Sequence, residues 1–378
     1  MSLVETILCR RFARGLIFVA LSRCFLATPS HAQVTLERAA SMLIFPHVVV
    51  SAQQDTIIQL SNTSASTLNA ICVYVDGSLT HPTFPQSPAN PPTCSPTFFD
   101  ITLSGNSGQG KQATHWTASL GRRVDALSDN FLCTHSNPPD CDGAGFDPGL
   151  VPPAPLGFDG ELICFTVDAS GVPIANDGLT GDATIKDLTS GDLAQYLAIG
   201  LPGTINNNGD GVLCIGSGVS ATCPSGAEYL ACPDTWILNH VASGTEDPLV
   251  GSGSSVSTSL TIVPCGRDFT ATSAANVSVQ FQVTNEFEAT LSATTTVTCF
   301  ANSRLEDINP SFTRPIIGSD YVQTRIRATG GRGIAVVAQE FRDSGGAQPV
   351  TATAGFSAHH EGQAAGQDII ILPPTLTP

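Results

Sequence analysis

Lysine is almost missing from this chain of 378 residues, occurring only at Lys111 and Lys186, and its 16 Lys and Arg side chains face 32 Asp and Glu. A formal net charge of −16 repels phosphate backbones and anionic lipid, which disfavours nucleic-acid and membrane-surface binding. Past the N-terminus no apolar run approaches the roughly 18 residues that a membrane-spanning helix needs. Aromatic residues are scarce at 6%, and the two Trp and four Tyr offer few stacking platforms for sugar rings. There is no Cys-x-x-Cys and no His-Glu-x-x-His, the spacings that hold structural or catalytic zinc. Gly-x-Ser-x-Gly, the turn that raises a hydrolase serine, is missing as well.

What is present first is an export pattern. Arg10, Arg11 and Arg14 precede the apolar segment 15–21, and Ser30-His31-Ala32 offers a small-residue cleavage site before Gln33. The layout predicts a signal peptide over residues 1–32. Arg10-Arg11 is poorly continued as a twin-arginine signal, and Arg23 beside Cys24 argues against a lipoprotein site. Without residues 1–32 the chain keeps 12 positive and 31 negative side chains, a net charge of −19. It also keeps ten cysteines, an even number that favours disulfides in an exported chain. Cys133 and Cys141 bracket a Pro-rich loop that cannot build a core, and Cys265 and Cys299 stand near the outer ends of an expected hairpin. Both are candidate pairs.

The rest of the chain reads as short strands. Residues 43–50, 56–61 and 70–75 are apolar or β-branched runs joined by small polar turns. Val277, Val279, Phe281 and Val283 alternate with polar residues, the period of a strand with one wet face. Leu79 to Ser95 holds five prolines and reads as an extended loop, and Ser128 to Phe158 is a second long excursion. One short helix is expected, capped by Asp192, with Leu193, Tyr196 and Leu197 on one face and Gly200 ending it. The Gly/Ser run 251–257 is the best boundary. The chain is therefore expected to be all-β, with two immunoglobulin-like β-sandwich domains over 33–250 and 258–378 and long disulfide-tied loops.

Candidate chemistry is thin. Asn206, Asn208 and Asp210 present oxygens at alternate positions with glycines between and after them, as a calcium loop does, but a single carboxylate makes a weak metal site and the same residues are strong turn formers. His359-His360-Glu361 lacks metal spacing. No catalytic residue, cofactor or nucleic-acid partner is expected.

The segments 160–168, 181–185, 229–240 and 263–300 resemble those of uncharacterised exported β-rich proteins of Gram-negative bacteria, a resemblance that brings no activity with it. The expectation is a non-catalytic protein of the periplasm, cell surface or exterior, with a structural, adhesive or protein-contact role carried by its loops at 79–95 and 128–158. A glycan- or calcium-dependent binding module is the alternative, and an exported hydrolase ranks third.

Overall fold

The computed structural model describes residues 38–81, 86, 89–105, 113–121, 123–125, 151–247, 253–271, 276–344, 351–360, 367–374 and 376. The expected signal segment 1–32 and the Cys133–Cys141 pair lie outside the described residues. The fold is all-β: the described helices are single turns at Leu305–Ile308, Pro310–Phe312 and Arg314–Ile317. No described helix is long and apolar enough to cross a membrane.

Among the described residues, five small sheets build the molecule. The central one has the strand order Ile199–Leu201, Met42–Val50, Phe158–Val167, Leu68–Asp76, Ser95–Leu103, and its pairings are antiparallel. Antiparallel sheets commonly keep one face wet and alternate accordingly. Here the three inner strands are buried on both faces. Met42, Ile44, Ile71, Val73, Val75, Ile163 and Phe165 join one apolar cluster, while Leu43, Phe45, Ala70, Cys72, Tyr74, Leu162 and Cys164 join the other. The pleat sends neighbouring residues to opposite faces, so the unbroken apolar runs of these strands supply both clusters.

A second sheet covers the latter face through Ile58, Leu60, Trp116, Ala183 and Ile185; its order is Arg123–Asp125, Ala113–Thr117, Gln54–Asn62, Leu179–Asp187, Leu193–Leu197. The other cluster is completed by a third sheet, Thr290–Thr298, Asn276–Asn285, Tyr321–Ala328, Thr235–Val241, His359–His360, and by a fourth, Ala301–Arg304, Ser255–Pro264, Ile334–Asp343, Thr351–Ser357. A fifth, of Val212–Ile215, Asp368–Ile371 and Arg267–Asp268, adds Leu213, Ile215 and Ile370. One cluster thus takes residues from both sides of the Gly/Ser run 251–257. Within that run Ser255, Val256 and Ser257 already belong to the Ser255–Pro264 strand.

Two expectations are corrected here. Residues 192–200 are not a helix: Leu193–Leu197 and Ile199–Leu201 are strands, with Ala194 and Tyr196 inward and Leu193, Gln195 and Leu197 outward. Cys265 and Cys299 are both oxidised but not to each other. Cys265 pairs with Cys232 and Cys299 with Cys94, alongside Cys72–Cys164 and Cys214–Cys223. The hairpin ends diverge because Cys299, at φ 51°, turns the chain out of its strand toward Ala301–Arg304. The four disulfides among the described residues indicate folding in an oxidising environment.

Inside this apolar frame stands a buried ion pair, Glu161 against Arg267, and the same guanidinium donates to the Cys299 carbonyl at 2.5 Å. Burial pushes the Glu161 carboxyl up to about 7 against the pull of Arg267. Breaking such a pair leaves a buried charge uncompensated, whereas replacing both partners by apolar or neutral groups is tolerated far better. Arg267→Met should therefore lower the unfolding free energy by about 3–5 kcal/mol, and adding Glu161→Gln should restore much of the loss, as read from urea unfolding midpoints.

Asp368 is similarly enclosed, accepting from Gly333 N–H at 2.6 Å beside Arg332, and burial raises its carboxyl to about 6 from an ordinary 3.8. A carboxyl whose folded pKa is raised favours folding most when protonated. That advantage fades as pH rises from about 4 through about 6. Asp368→Asn, which cannot ionise, should gain in thermal midpoint relative to the native chain over this interval, and a flat difference would contradict the assignment.

Candidate functional site

The site begins with an irregularity in the first strand. Pro46 has no N–H to give to a ladder and is tolerated inside a sheet only at a bulge or edge. Pairing of Met42–Val50 with Phe158–Val167 accordingly shifts register between Phe45 and Val48. The freed backbone of His47 is closed instead by one hydroxyl: Tyr196 Oη accepts from His47 N–H at 3.1 Å and donates to its carbonyl at 2.5 Å. Bulges re-aim side chains, and here the imidazole meets residues of the neighbouring strands.

Its Nε2 lies 3.2 Å from Asp159 Oδ1. Asn302 Nδ2 stands 3.3 Å from both that nitrogen and Asp159 Oδ2, and Ser259 Oγ donates to Asn302 Oδ1 at 2.8 Å. With its proton on Nε2, His47 donates to one carboxylate oxygen while Asn302 donates to the other. Ser259 hands its proton to Asn302 rather than to the imidazole, so this Ser, His and Asp do not form the nucleophile–base contact that acyl transfer uses. The arrangement is a hydrogen-bonded polar floor, suited to orienting a bound group.

Above it opens a cleft of about 690 Å³. One wall is the turn Gly77-Ser78-Leu79 with Gln86, whose amide donates to the Phe300 carbonyl at 3.1 Å; another carries Ser303, Arg304 and Asp307; and Phe341 contributes an apolar side. The Arg304 guanidinium lies 5.8 Å from the Phe341 ring centroid, within cation–π range. The Cys94–Cys299 bridge ties the end of the Pro-rich loop to the segment that carries Phe300 and Asn302. Gly77 is required by contact: a Cβ there would meet the Phe300 ring at 2.3 Å.

The loop 79–95 therefore does contribute to a cleft, whereas residues 126–150 of the second loop lie outside the described residues. His47, Asp159, Asn302 and Ser259 were not singled out by sequence reasoning; the one available signal was Pro46 in the middle of an apolar strand. In the Asn-rich loop, Asn206 Oδ1 accepts from Ala175 N–H at 2.9 Å, Asn208 Oδ1 from Asp210 N–H at 3.0 Å and Asp210 Oδ1 from Val212 N–H at 2.8 Å. Each candidate calcium ligand thus spends an oxygen on backbone, Asn208 and Asp210 within the turn and Asn206 on the segment at Ala175. Asn207, between them, donates to both oxygens of buried Glu228 at 2.9 Å. No group of three or more His, Cys, Asp or Glu with metal-binding geometry occurs among the described residues. Residues 359–360 form a two-residue strand on Thr235–Val241.

No family model matches the chain. No curated protein matches it either. Among solved structures, the cryo-EM structure of broad bean stain virus aligns over 92% of this chain and 98% of its own, at 11% identity and a TM-score of 0.19. The naturally occurring empty particle of cowpea mosaic virus aligns over 92% and 99%, at 8% identity and a TM-score of 0.18. At these TM-scores neither carries an argument.

Tyr196→Phe tests the bulge. Without the hydroxyl, the buried N–H and C=O of His47 lose their partner, and stability should fall by about 1–3 kcal/mol in denaturant unfolding.

Proposed function

We propose that the chain is an exported, disulfide-stapled, non-catalytic β-scaffold that makes a protein contact through the cleft between Gly77 and Arg304. In this reading residues 1–32 are a secretory signal, and the sheets are arranged as two immunoglobulin-like sandwiches over 33–250 and 258–378. The observation that carries the proposal is the cleft itself. A polar floor of Asp159, Asn302 and Ser259, backed by buried His47 and with Arg304, Asp307 and Phe341 at its rim, offers charge of both signs beside an apolar surface, the mixture that suits a polypeptide.

The alternatives have less behind them. Glycan recognition through tryptophan platforms lacks its platforms: Trp116 and Trp236 are fully buried, with their indole N–H groups bonded at 2.7 Å to Tyr74 Oη and to the Ile334 carbonyl. The calcium alternative meets oxygens that already accept from the backbone N–H groups of Ala175, Asp210 and Val212. The four disulfides support export.

Cell fractionation with non-reducing peptide mapping tests the export half. Recovery in periplasmic, surface or extracellular fractions with Cys94–Cys299 intact is expected, and recovery in cytosol with free thiols would overturn it. For the contact half, proximity cross-linking from a photoreactive residue at Ser303 in the native cell should yield discrete protein adducts that Arg304→Glu removes. Adducts indifferent to Arg304→Glu would count against the cleft.

A further inference from the structure

The third sheet ends in Thr290–Thr298, a nine-residue edge strand with the sequence Thr-Leu-Ser-Ala-Thr-Thr-Thr-Val-Thr. Among the described residues its outer side meets only the chain's own next turn, where Phe300 N–H donates to the Thr298 carbonyl, and no strand pairs beside it. Exposed edges are ordinarily blunted by charge, proline, bulges or brevity, because a row of unpaired N–H and C=O groups invites another strand. The edge strand Ser95–Leu103 of the central sheet, equally long, carries Pro96 and Asp100. The Thr290–Thr298 strand has no charge and no proline, and its pairing with Asn276–Asn285 runs unshifted from end to end.

Its backbone is ready to pair. The hairpin closes with Asn285 N–H donating to the Ala289 carbonyl. Alternation along an antiparallel ladder then engages Leu291, Ala293, Thr295 and Val297 inward and aims the N–H and C=O of Ser292, Thr294 and Thr296 at the open edge.

The order of side chains selects the occupant. Read about Thr294, the strand is nearly a palindrome: Thr290 matches Thr298, Leu291 matches Val297, Ser292 matches Thr296 and Ala293 matches Thr295. We propose that this edge pairs antiparallel with the same strand of a second copy, on a two-fold axis at Thr294. That register sets outward-aimed residues opposite one another for about six backbone hydrogen bonds from the three central pairs. It places hydroxyls against hydroxyls on the wet face, and Leu291 against Val297 on the inner face, where Leu291 and Ala293 are only partly buried against the core. Self-pairing is the isologous contact that closes as a dimer. The strand adds no charge to the approach of two acidic chains.

The test is oligomeric state with a register probe. Sedimentation of the purified chain should give a dimer. Thr294→Lys places like charges opposite each other on the axis and should give a folded monomer. Thr294→Pro removes only an N–H aimed at the open edge and should do the same. Under mild oxidation Thr294→Cys should form a symmetric disulfide dimer, since directly bonded pairs stand about 5.5 Å apart at Cα, whereas Ser292→Cys should not unless combined with Thr296→Cys. A monomeric native chain, a dimer that survives Thr294→Lys, or cross-linking by Ser292→Cys alone as readily as by Thr294→Cys would overturn the proposal.

Discussion

Everything in this fold answers to a sheet whose three inner strands have no wet face. Because both sides of the central sheet are buried there, each of its three inner strands must supply apolar residues at consecutive positions, and every backbone polar group must be met within protein. The unbroken runs of Met42–Val50, Leu68–Asp76 and Phe158–Val167 follow from the first demand. The second explains why the single break in pairing, at Pro46-His47, is closed by the Tyr196 hydroxyl rather than left to solvent. Cys72 and Cys164, opposite one another with Cα atoms 4.0 Å apart, fasten two of these strands covalently in the middle of one buried face.

The constraint also sets where polar groups can stand. Glu161 sits among these apolar strands and is held by Arg267 from the fifth sheet; Glu228 is held by Asn207 and the Cys214 N–H; Asp368 by Gly333 and Arg332. Each joins segments distant in sequence, and each would be costly if left without its partner. Such contacts favour one arrangement of sheets over others that bury the same apolar area. The cleft lies where this enclosure ends, at the point where Asp159 and Asn302 meet the His47 bulge.

How much of this could be read from residues depended on how far apart the decisive partners lay. The period-2 run Val277–Val283 declares its strand locally, and so do the apolar runs that form the central sheet. Residues 192–200 did not, because Leu193, Tyr196 and Leu197 fit a helical face while Ala194 and Tyr196 fit a strand face. Over so few residues only the neighbouring Leu179–Asp187 strand decides between them. Disulfide partners are harder still, since Cys94 and Cys299 are 205 positions apart and local loop closure favoured nearer choices. At the cleft, a Pro-rich loop could be recognised as a surface excursion, but the floor could not: its residues come from four strands and converge only through tertiary pairing.

The same reasoning separates the two surfaces this molecule offers. The cleft is open to solvent above a floor whose polar atoms are largely committed to one another, so an occupant must match a fixed pattern of donors and acceptors. The Thr290–Thr298 edge has uncommitted backbone and little side-chain individuality, and what it can discriminate is register and charge. A near-palindromic strand without charge is compatible with its own copy in one central register, and a slip by one residue would set inward-facing Leu291 against outward-facing hydroxyls. The fixed polar pattern of the cleft and the strand order of the edge are therefore separate features of the architecture, carried by different sheets.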